Sequence, residues 1–196
     1  MHRPAPSYFV NLFLSVCLFL LCAGPIAPAQ AESTRRTLSA DEIKAAYLFN
    51  FAKFVDWPEE SFASDDEPLQ VCFLGGDSIS KTFRSLEGKT IKGRPLQIKI
   101  VTQLEELHEC HILFIGDDEL PRWPQVQGAL DQSSVLTVSD GEGFTEHGGM
   151  ISFKPQNNRI RFLINLDNTQ SAGLKLSSQL LQLAEVTGNK QKGGTP

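Results

Sequence analysis

Short apolar runs that stop at glycine or aspartate alternate with helix-like segments across residues 69–139. Residues 69–74 end at Gly75-Gly76. Residues 96–101 alternate Leu96, Ile98 and Ile100 against Gln97 and Lys99. Residues 111–115 stop at Gly116, and residues 135–139 stop at Asp140-Gly141. Between these runs, residues 78–86, 104–108 and 123–130 carry helical spacing, while residues 88–95 read as a turn. Asp77 or Ser78 is the expected cap of the first of these helices. Strands this apolar are covered on both faces, and repeated strand–helix units lay strands in parallel. The expected fold is therefore α/β: a three-layer sandwich with a mostly parallel sheet of about six strands and helices on both faces.

The flanks extend this pattern. Ser39-Ala40-Asp41-Glu42 has the form of a capping box, which predicts a helix over residues 40–55. Its apolar residues, Ile43, Ala46, Tyr47, Leu48, Phe49, Phe51, Phe54 and Val55, cover more than one stripe. Such a helix is buried between other elements or meets a partner. Trp57-Pro58 closes it, because proline disfavours helical geometry in the preceding residue. Residues 59–68 are acidic and read as a solvated loop. Residues 140–149 form a glycine-rich loop. Residues 151–154 and 159–164 follow as an antiparallel hairpin, with Ile160, Phe162 and Ile164 alternating with Arg159 and Arg161. A last helix is expected over residues 169–186, stopped at Thr187-Gly188.

The front of the chain gives an address. Arg3 precedes an apolar run over residues 8–23, which is broken only by Asn11 and Ser15. Gly24-Pro25 and the small-residue site Ala29-Gln30-Ala31 follow. This is the layout of a secretory signal peptide cleaved after Ala31. The run is shorter than the ~20 apolar residues of a spanning helix. The expected organisation is a signal peptide over residues 1–31, a flexible start over 32–39, one domain over 40–187 and a disordered tail over 188–196. The chain carries 18 Lys and Arg against 23 Asp and Glu, a formal net charge of −5. Loss of Arg3 makes the remainder more acidic still. This balance disfavours nucleic acid or an anionic lipid surface as partner.

Cys17 and Cys22 fall in the leader, which leaves Cys72 and Cys110. In an oxidising compartment the pair reads as one disulfide, worth about 4 kcal/mol of loop closure. Two buried thiols are an alternative. A metal site is another, because His108 and His111 flank Cys110, although no further ligand falls at zinc-motif spacing.

In an open α/β sheet, ligands bind beyond the carboxyl ends of the strands. Those ends carry Gly75, Gly76 and Asp77; Gly116 and Asp117; and Asp140. The glycines would admit a ligand close to the backbone. Asp77 with Asp117 or Asp118, near Lys154, has the make-up of a phospho-accepting pocket. Aspartates after strands are also ordinary caps and turn formers, and export would separate the protein from cytoplasmic kinases. Gly75-Gly76 lacks the rest of a phosphate-binding loop, and no Gly-x-Ser-x-Gly elbow occurs. His147 is the histidine best placed for function, but no nucleophile is paired with it. No catalytic residue, cofactor or metal is expected. Exposed-apolar logic names Tyr47, Phe49, Trp57, Phe144 and His147 as partner contacts.

Three segments carry a resemblance. They are residues 43–58, from Ile43 through Tyr47, Phe49, Phe51 and Phe54 to Trp57-Pro58; Gly143-Phe144 with Gly148-Gly149-Met150-Ile151, Asn158 to Phe162 and Asn165; and residues 174–184. Together they resemble the YfiR family of exported bacterial proteins over roughly residues 40–186. The resemblance implies a periplasmic regulator, not an enzyme. Its best-understood members bind the periplasmic sensor domain of an inner-membrane diguanylate cyclase and hold it inactive. An outer-membrane, peptidoglycan-binding lipoprotein sequesters the regulator; cyclic di-GMP then rises and biofilm formation follows. The resemblance also implies a homodimer and a structural disulfide at Cys72 and Cys110. Some members carry a second cysteine pair around the glycine-rich loop, where residues 144–153 of this chain have none. Other relatives serve other sensors, including histidine kinases. The rival readings are a periplasmic module that binds a small ligand or cell-wall fragment and reports to a sensor histidine kinase, and a hydrolase.

Overall fold

The computed structural model describes residues 37–157 and 159–188. The expected signal peptide, most of the expected flexible start and nearly all of the expected tail lie outside the described residues. Leu38 opens the folded unit.

Helix α1 (Ala40–Phe54) starts at the expected capping box. The Ser39 hydroxyl accepts from the Glu42 N–H at 3.1 Å, and the Glu42 carboxylate accepts from the Ser39 N–H at 2.7 Å. These bonds satisfy two of the donors that a helix start leaves open. Ala45, Leu48, Phe51 and Ala52 of α1 are buried. The helix stops at Phe54 because the next two residues form strand β1 (Val55–Asp56), antiparallel to β9 (Lys175–Leu176).

The main sheet has eight strands, wider than the expected six. In chain order they are β2 (Leu69–Leu74), β3 (Thr90–Ile91), β4 (Arg94–Ile100), β5 (Ile112–Ile115), β6 (Leu136–Ser139), β7 (Ile151–Gln156), β8 (Arg159–Asn165) and β10 (Glu185–Thr187). Their spatial order is β10-β8-β7-β6-β5-β2-β4-β3. The run from β4 through β2, β5 and β6 to β7 is parallel. Strands β7 and β8 form the expected antiparallel hairpin, and Asn157 turns it with a φ of 49°. Asparagine tolerates that left-handed geometry, which suits a tight hairpin turn.

Alternation along the strands divides two cores. Val71, Phe73, Ile112, Phe114, Leu136 and Val138 point to one face. There they meet α1, helix α2 (Asp77–Phe83) and Leu180 of helix α5 (Ser178–Leu183). Cys72, Leu74, Leu113 and Ile115 point to the other face, against Trp123 and Val126 of helix α3 (Trp123–Ala129). This is the expected three-layer arrangement. Each large apolar side chain so buried contributes about 1.5–3 kcal/mol.

Local expectations change in four places. Gly76, not Asp77 or Ser78, precedes α2, with a φ of 64° and no side-chain cap. That helix passes into a 3-10 turn at Arg84–Leu86. The turn over residues 88–95 contains strand β3 and the start of β4, paired antiparallel as Thr90–Pro95 and Ile91–Arg94. Leu104–Glu109 is 3-10 rather than α-helical. The single helix over residues 169–186 is absent. In its place stand α4 (Leu166–Ser171), β9, α5 and β10. Gly173 breaks the run at φ 75°. Ser177 then opens a new helix, its hydroxyl accepting from the Leu180 N–H at 3.2 Å. No helix among the described residues is long and apolar enough to cross a membrane.

Candidate partner-binding groove

The strand order reverses beside β2, whose neighbours are β4 and β5, so the crevice past β2 and β5 is where an α/β sheet would take a ligand. Here the chain fills that crevice itself. A 3-10 segment, Asp117–Arg122, follows β5 directly. Asp118 Oδ1 accepts from the Gly76 N–H at 3.3 Å. A Cβ on Gly75 would lie 2.7 Å from the same oxygen and 2.8 Å from Glu119 Cγ. A Cβ on Gly76 would lie 2.6 Å from Phe114 Cε1, and one on Gly141 would lie 2.7 Å from Leu120 Cγ. Gly75 and Gly141 thus admit the protein's own segment at Asp117–Arg122, while Gly76 clears the Phe114 ring. Lys154, offered by the sequence as part of an acidic pocket, instead meets Glu185 at 3.5 Å.

Next to the filled crevice an apolar groove forms. Ser139, at the end of β6, donates its hydroxyl proton to Ile115 O at 2.8 Å and accepts from the Gly141 N–H at 3.1 Å. This fixes the start of the glycine-rich loop. Asp140 reaches across to α1, where Lys44 Nζ lies 2.6 Å from its Oδ2. The loop then curls on itself: the His147 N–H donates to Gly143 O at 3.1 Å, and the Gly149 N–H to Phe144 O at 2.9 Å. Gly143 accommodates the curl at φ 72°. Phe144 is driven inside, at 1% exposure, and packs edge-on against Trp123 at 4.6 Å. The Trp123 indole N–H donates to His147 O at 2.8 Å.

The resulting groove encloses about 480 Å³. Leu120 and the exposed Pro121 and Pro124 supply its accessible apolar surface, over a floor formed by the buried Trp123 and Phe144. Gln127, Glu142 and His147 bring polar groups to the same groove. His147 Nδ1 lies 2.7 Å from Gly143 O, an acceptor, so the proton sits on Nδ1. An apolar cleft with a few polar groups is suited to taking side chains from another molecule.

The structure thus brings Phe144 and His147 together. It places Tyr47, Phe49 and Trp57 elsewhere. Helix α1 packs on the sheet alongside helices α2 and α5, so its aromatic residues are mostly spent on the core. Tyr47 lies among Phe51, Phe153 and Phe162 and donates its hydroxyl proton to Ile160 O at 3.2 Å. Phe49 is half-buried, with the Lys53 ammonium 5.7 Å from its ring centre. Trp57 donates its indole N–H to His111 O at 3.1 Å. Sequence reasoning missed Leu120, Pro121, Pro124 and Gln127 in the groove, and above all Trp123. Its helical position was legible, but its meeting with a loop some twenty residues later depends on the fold.

Cys72 and Cys110 are joined as a disulfide on the second face of the sheet, which removes both the free-thiol and the metal reading. His111 is also occupied. Its Nδ1 accepts from the Gln70 N–H and its Nε2 lies on Ser61 O, both at 3.1 Å. Burial, the leading influence, holds its pKa below the usual histidine value. His108 is exposed. Among the described residues no group of three or more His, Cys, Asp or Glu side chains converges as a metal would need. Beside the disulfide, Lys99 Nζ bridges Glu109 at 2.6 Å and Glu106 at 3.2 Å. Hydrogen bonds to Glu109 and then Glu106 raise the lysine pKa. The Thr102 N–H, followed by Lys99 and the Gln103 N–H, lowers that of Glu106.

These features define an α/β sandwich with an apolar groove at the carboxyl end of its sheet. Residues 41–185 match the YfiR/HmsC-like family, and the chain belongs to that family. No curated protein matches the chain.

Proposed function

We propose that the protein is an exported, periplasmic regulator. It binds the periplasmic sensor domain of an inner-membrane signalling protein, a diguanylate cyclase in the first instance, and holds it inactive. The observation that carries this reading is the family match across nearly the whole described domain. The groove supports it, because Leu120, Pro121 and Pro124 offer apolar surface to a partner beside His147. Repression follows from population shift: a regulator that binds the inactive sensor more tightly than the active one biases the equilibrium by that difference, tenfold for each ~1.4 kcal/mol. The proposal is completed by a homodimeric state and by an outer-membrane, peptidoglycan-binding lipoprotein that sequesters the regulator and so frees the sensor. The rival reading, a small ligand at the strand ends, is less favoured because Asp118 and Leu120 already occupy that crevice.

The test is recovery of membrane proteins on immobilised protein beginning at Glu32. A sensor with a periplasmic domain should be recovered by the wild type and lost with Pro124→Asp. Trp57→Ala, at an internally bonded residue, should retain it if folded. Recovery of no membrane sensor by the wild type sinks the proposal. A co-purifying small molecule in native mass spectrometry would favour the rival. Intact mass of the exported protein checks cleavage after Ala31, and light scattering checks the dimer.

A further inference from the structure

His111 is 4% exposed, at the entry to β5. Its ring is committed on every side. The Gln70 N–H donates to Nδ1, and Nε2–H donates to Ser61 O, both at 3.1 Å. That pair of bonds requires the neutral ring with its proton on Nε2. Phe62 stacks on the ring at 4.2 Å, and Trp57 meets it edge-on at 6.2 Å. The Arg94 guanidinium lies 3.7 Å from the Phe62 ring centre. Two groups that close must take opposite faces of Phe62, so the phenyl ring is held between histidine and arginine. Arg94 Nη1 also donates to Ser64 O at 2.7 Å and Glu67 O at 2.9 Å. The acidic segment at residues 59–67 is therefore clamped to the sheet from outside itself, by His111 and Arg94. Within it, the Glu67 carboxylate accepts from the Ala63 N–H.

We propose that His111 is a proton-operated latch: neutral, it pins the segment at residues 59–67 to the sheet; protonated, it releases that segment while the sheet and the disulfide stay intact. The chemistry is local. A proton on Nδ1 would face the Gln70 N–H, setting donor against donor, and would leave that amide without its acceptor. The new cation would also lie across one phenyl ring from Arg94. Glu67 is the charged group whose field favours the proton and Arg94 the one that opposes it. Glu59, Glu60, Asp65 and Asp66 are exposed acids on the segment itself. Release would uncover the aromatic faces of Trp57 and Phe62, so the latch couples acidity to exposed apolar surface.

The direction follows from burial, which holds the latched histidine below the ordinary histidine value of about 6.5. The unlatched form therefore binds more protons below that value. The latch is fully engaged above about pH 6.5, weakens as pH falls, and is lost once pH passes the latched pKa. The geometry does not depend on the proposed export, so this proposal and the functional one fail separately.

The test is amide hydrogen exchange by NMR between pH 7.5 and 4.5, corrected for intrinsic rates, on protein beginning at Glu32. Protection of Gln70 and of residues 61–67 should fall, approaching tenfold per pH unit below 6.5. Phe114, in central strand β5, should keep its protection. His111→Asn retains an acceptor for the Gln70 N–H and cannot titrate in this range, so its profile should be flat. Unchanged wild-type protection while the His111 ring titrates overturns the latch. An equal pH slope in His111→Asn also overturns it, assigning the effect to carboxylates, Glu67 foremost. So does parallel loss at Phe114, which means global unfolding. If the variant does not fold, the wild type decides: loss of protection must set in as pH falls through about 6.5 and level off where the His111 ring is fully protonated, and loss that continues below that titration rejects the proposal.

Discussion

The indole N–H of Trp123 and the carbonyl of His147 lie 2.8 Å apart, so the first residue of α3 holds the far end of the glycine-rich loop. Trp123→Phe would keep a ring against Phe144 and remove the donor. The expected cost is about 1 kcal/mol for the lost hydrogen bond, with some added loss of packing. Urea unfolding gives the stability. Faster amide exchange at His147 and Gly149, with β5 unaffected, would locate the effect in the loop.

Gly76 carries two constraints at once. Its φ is 64°, and an added Cβ would sit 2.6 Å from Phe114 Cε1, on a fully buried ring. Gly88 has a similar φ of 76° with nothing within 4 Å of an added Cβ. Gly88→Ala should therefore cost about 1 kcal/mol from backbone strain alone. Gly76→Ala should cost about 2–4 kcal/mol, because overpacking adds to the strain. Equal losses for the two variants in urea titrations would refute the crowding at Phe114.

Legibility in the sequence tracked the range of the interaction. The capping box at Ser39 and Glu42, and the strand at Leu69–Leu74 with its two glycines, depend on near neighbours and were readable. The C-terminal region was not. Leu176 and Leu180 have helical spacing, but Lys175–Leu176 is bound in a ladder to Val55–Asp56, more than a hundred residues earlier. The local period cannot reveal such a pairing. The same limit governed the site. Phe144 and His147 stood out in a glycine-rich loop, whereas Trp123 joined them only through packing. The acids after β5 were visible, but not that Asp118 would serve as the protein's own ligand for the Gly76 N–H.

The disulfide joins β2 to the residue that closes the 3-10 segment before β5, across a sequence separation of 38. In the chain-entropy view its removal releases unfolded-state freedom worth about 4 kcal/mol, less any relaxation of the native state. The double variant Cys72→Ala with Cys110→Ala should lose about 3–5 kcal/mol, because trimming two buried sulfurs adds to the loop-closure loss. Reductant should lower the unfolding midpoint of the wild type and leave that of the double variant in place. A thiol assay on unfolded, unreduced protein should find no free Cys72 or Cys110.

Lys44 and Asp140 connect α1 to the loop that frames the groove. Their charged atoms lie 2.6 Å apart, and the side chains are 15% and 23% exposed. Asp140 Oδ1 is buried without a hydrogen-bond partner among the described residues, so this carboxylate depends on Lys44 for its compensation. Asp41 lies 4.0 Å from the same ammonium, at the limit of an ion pair. Lys44→Met would keep the aliphatic stem and strand the carboxylate, costing about 2–3 kcal/mol, while Asp140→Asn should cost less because it removes the charge that needs a partner. The double variant should be less destabilised than the sum of the two, by about 1–2 kcal/mol of coupling. Because both groups are mostly shielded from solvent, that coupling should persist in 0.5 M salt, where exposed pairs are screened. Additive losses, or coupling that disappears with salt, would show that the pair does not anchor the loop. Groove binding should follow the same order, since the loop that packs Phe144 beneath the groove and carries His147 at its edge begins at Asp140.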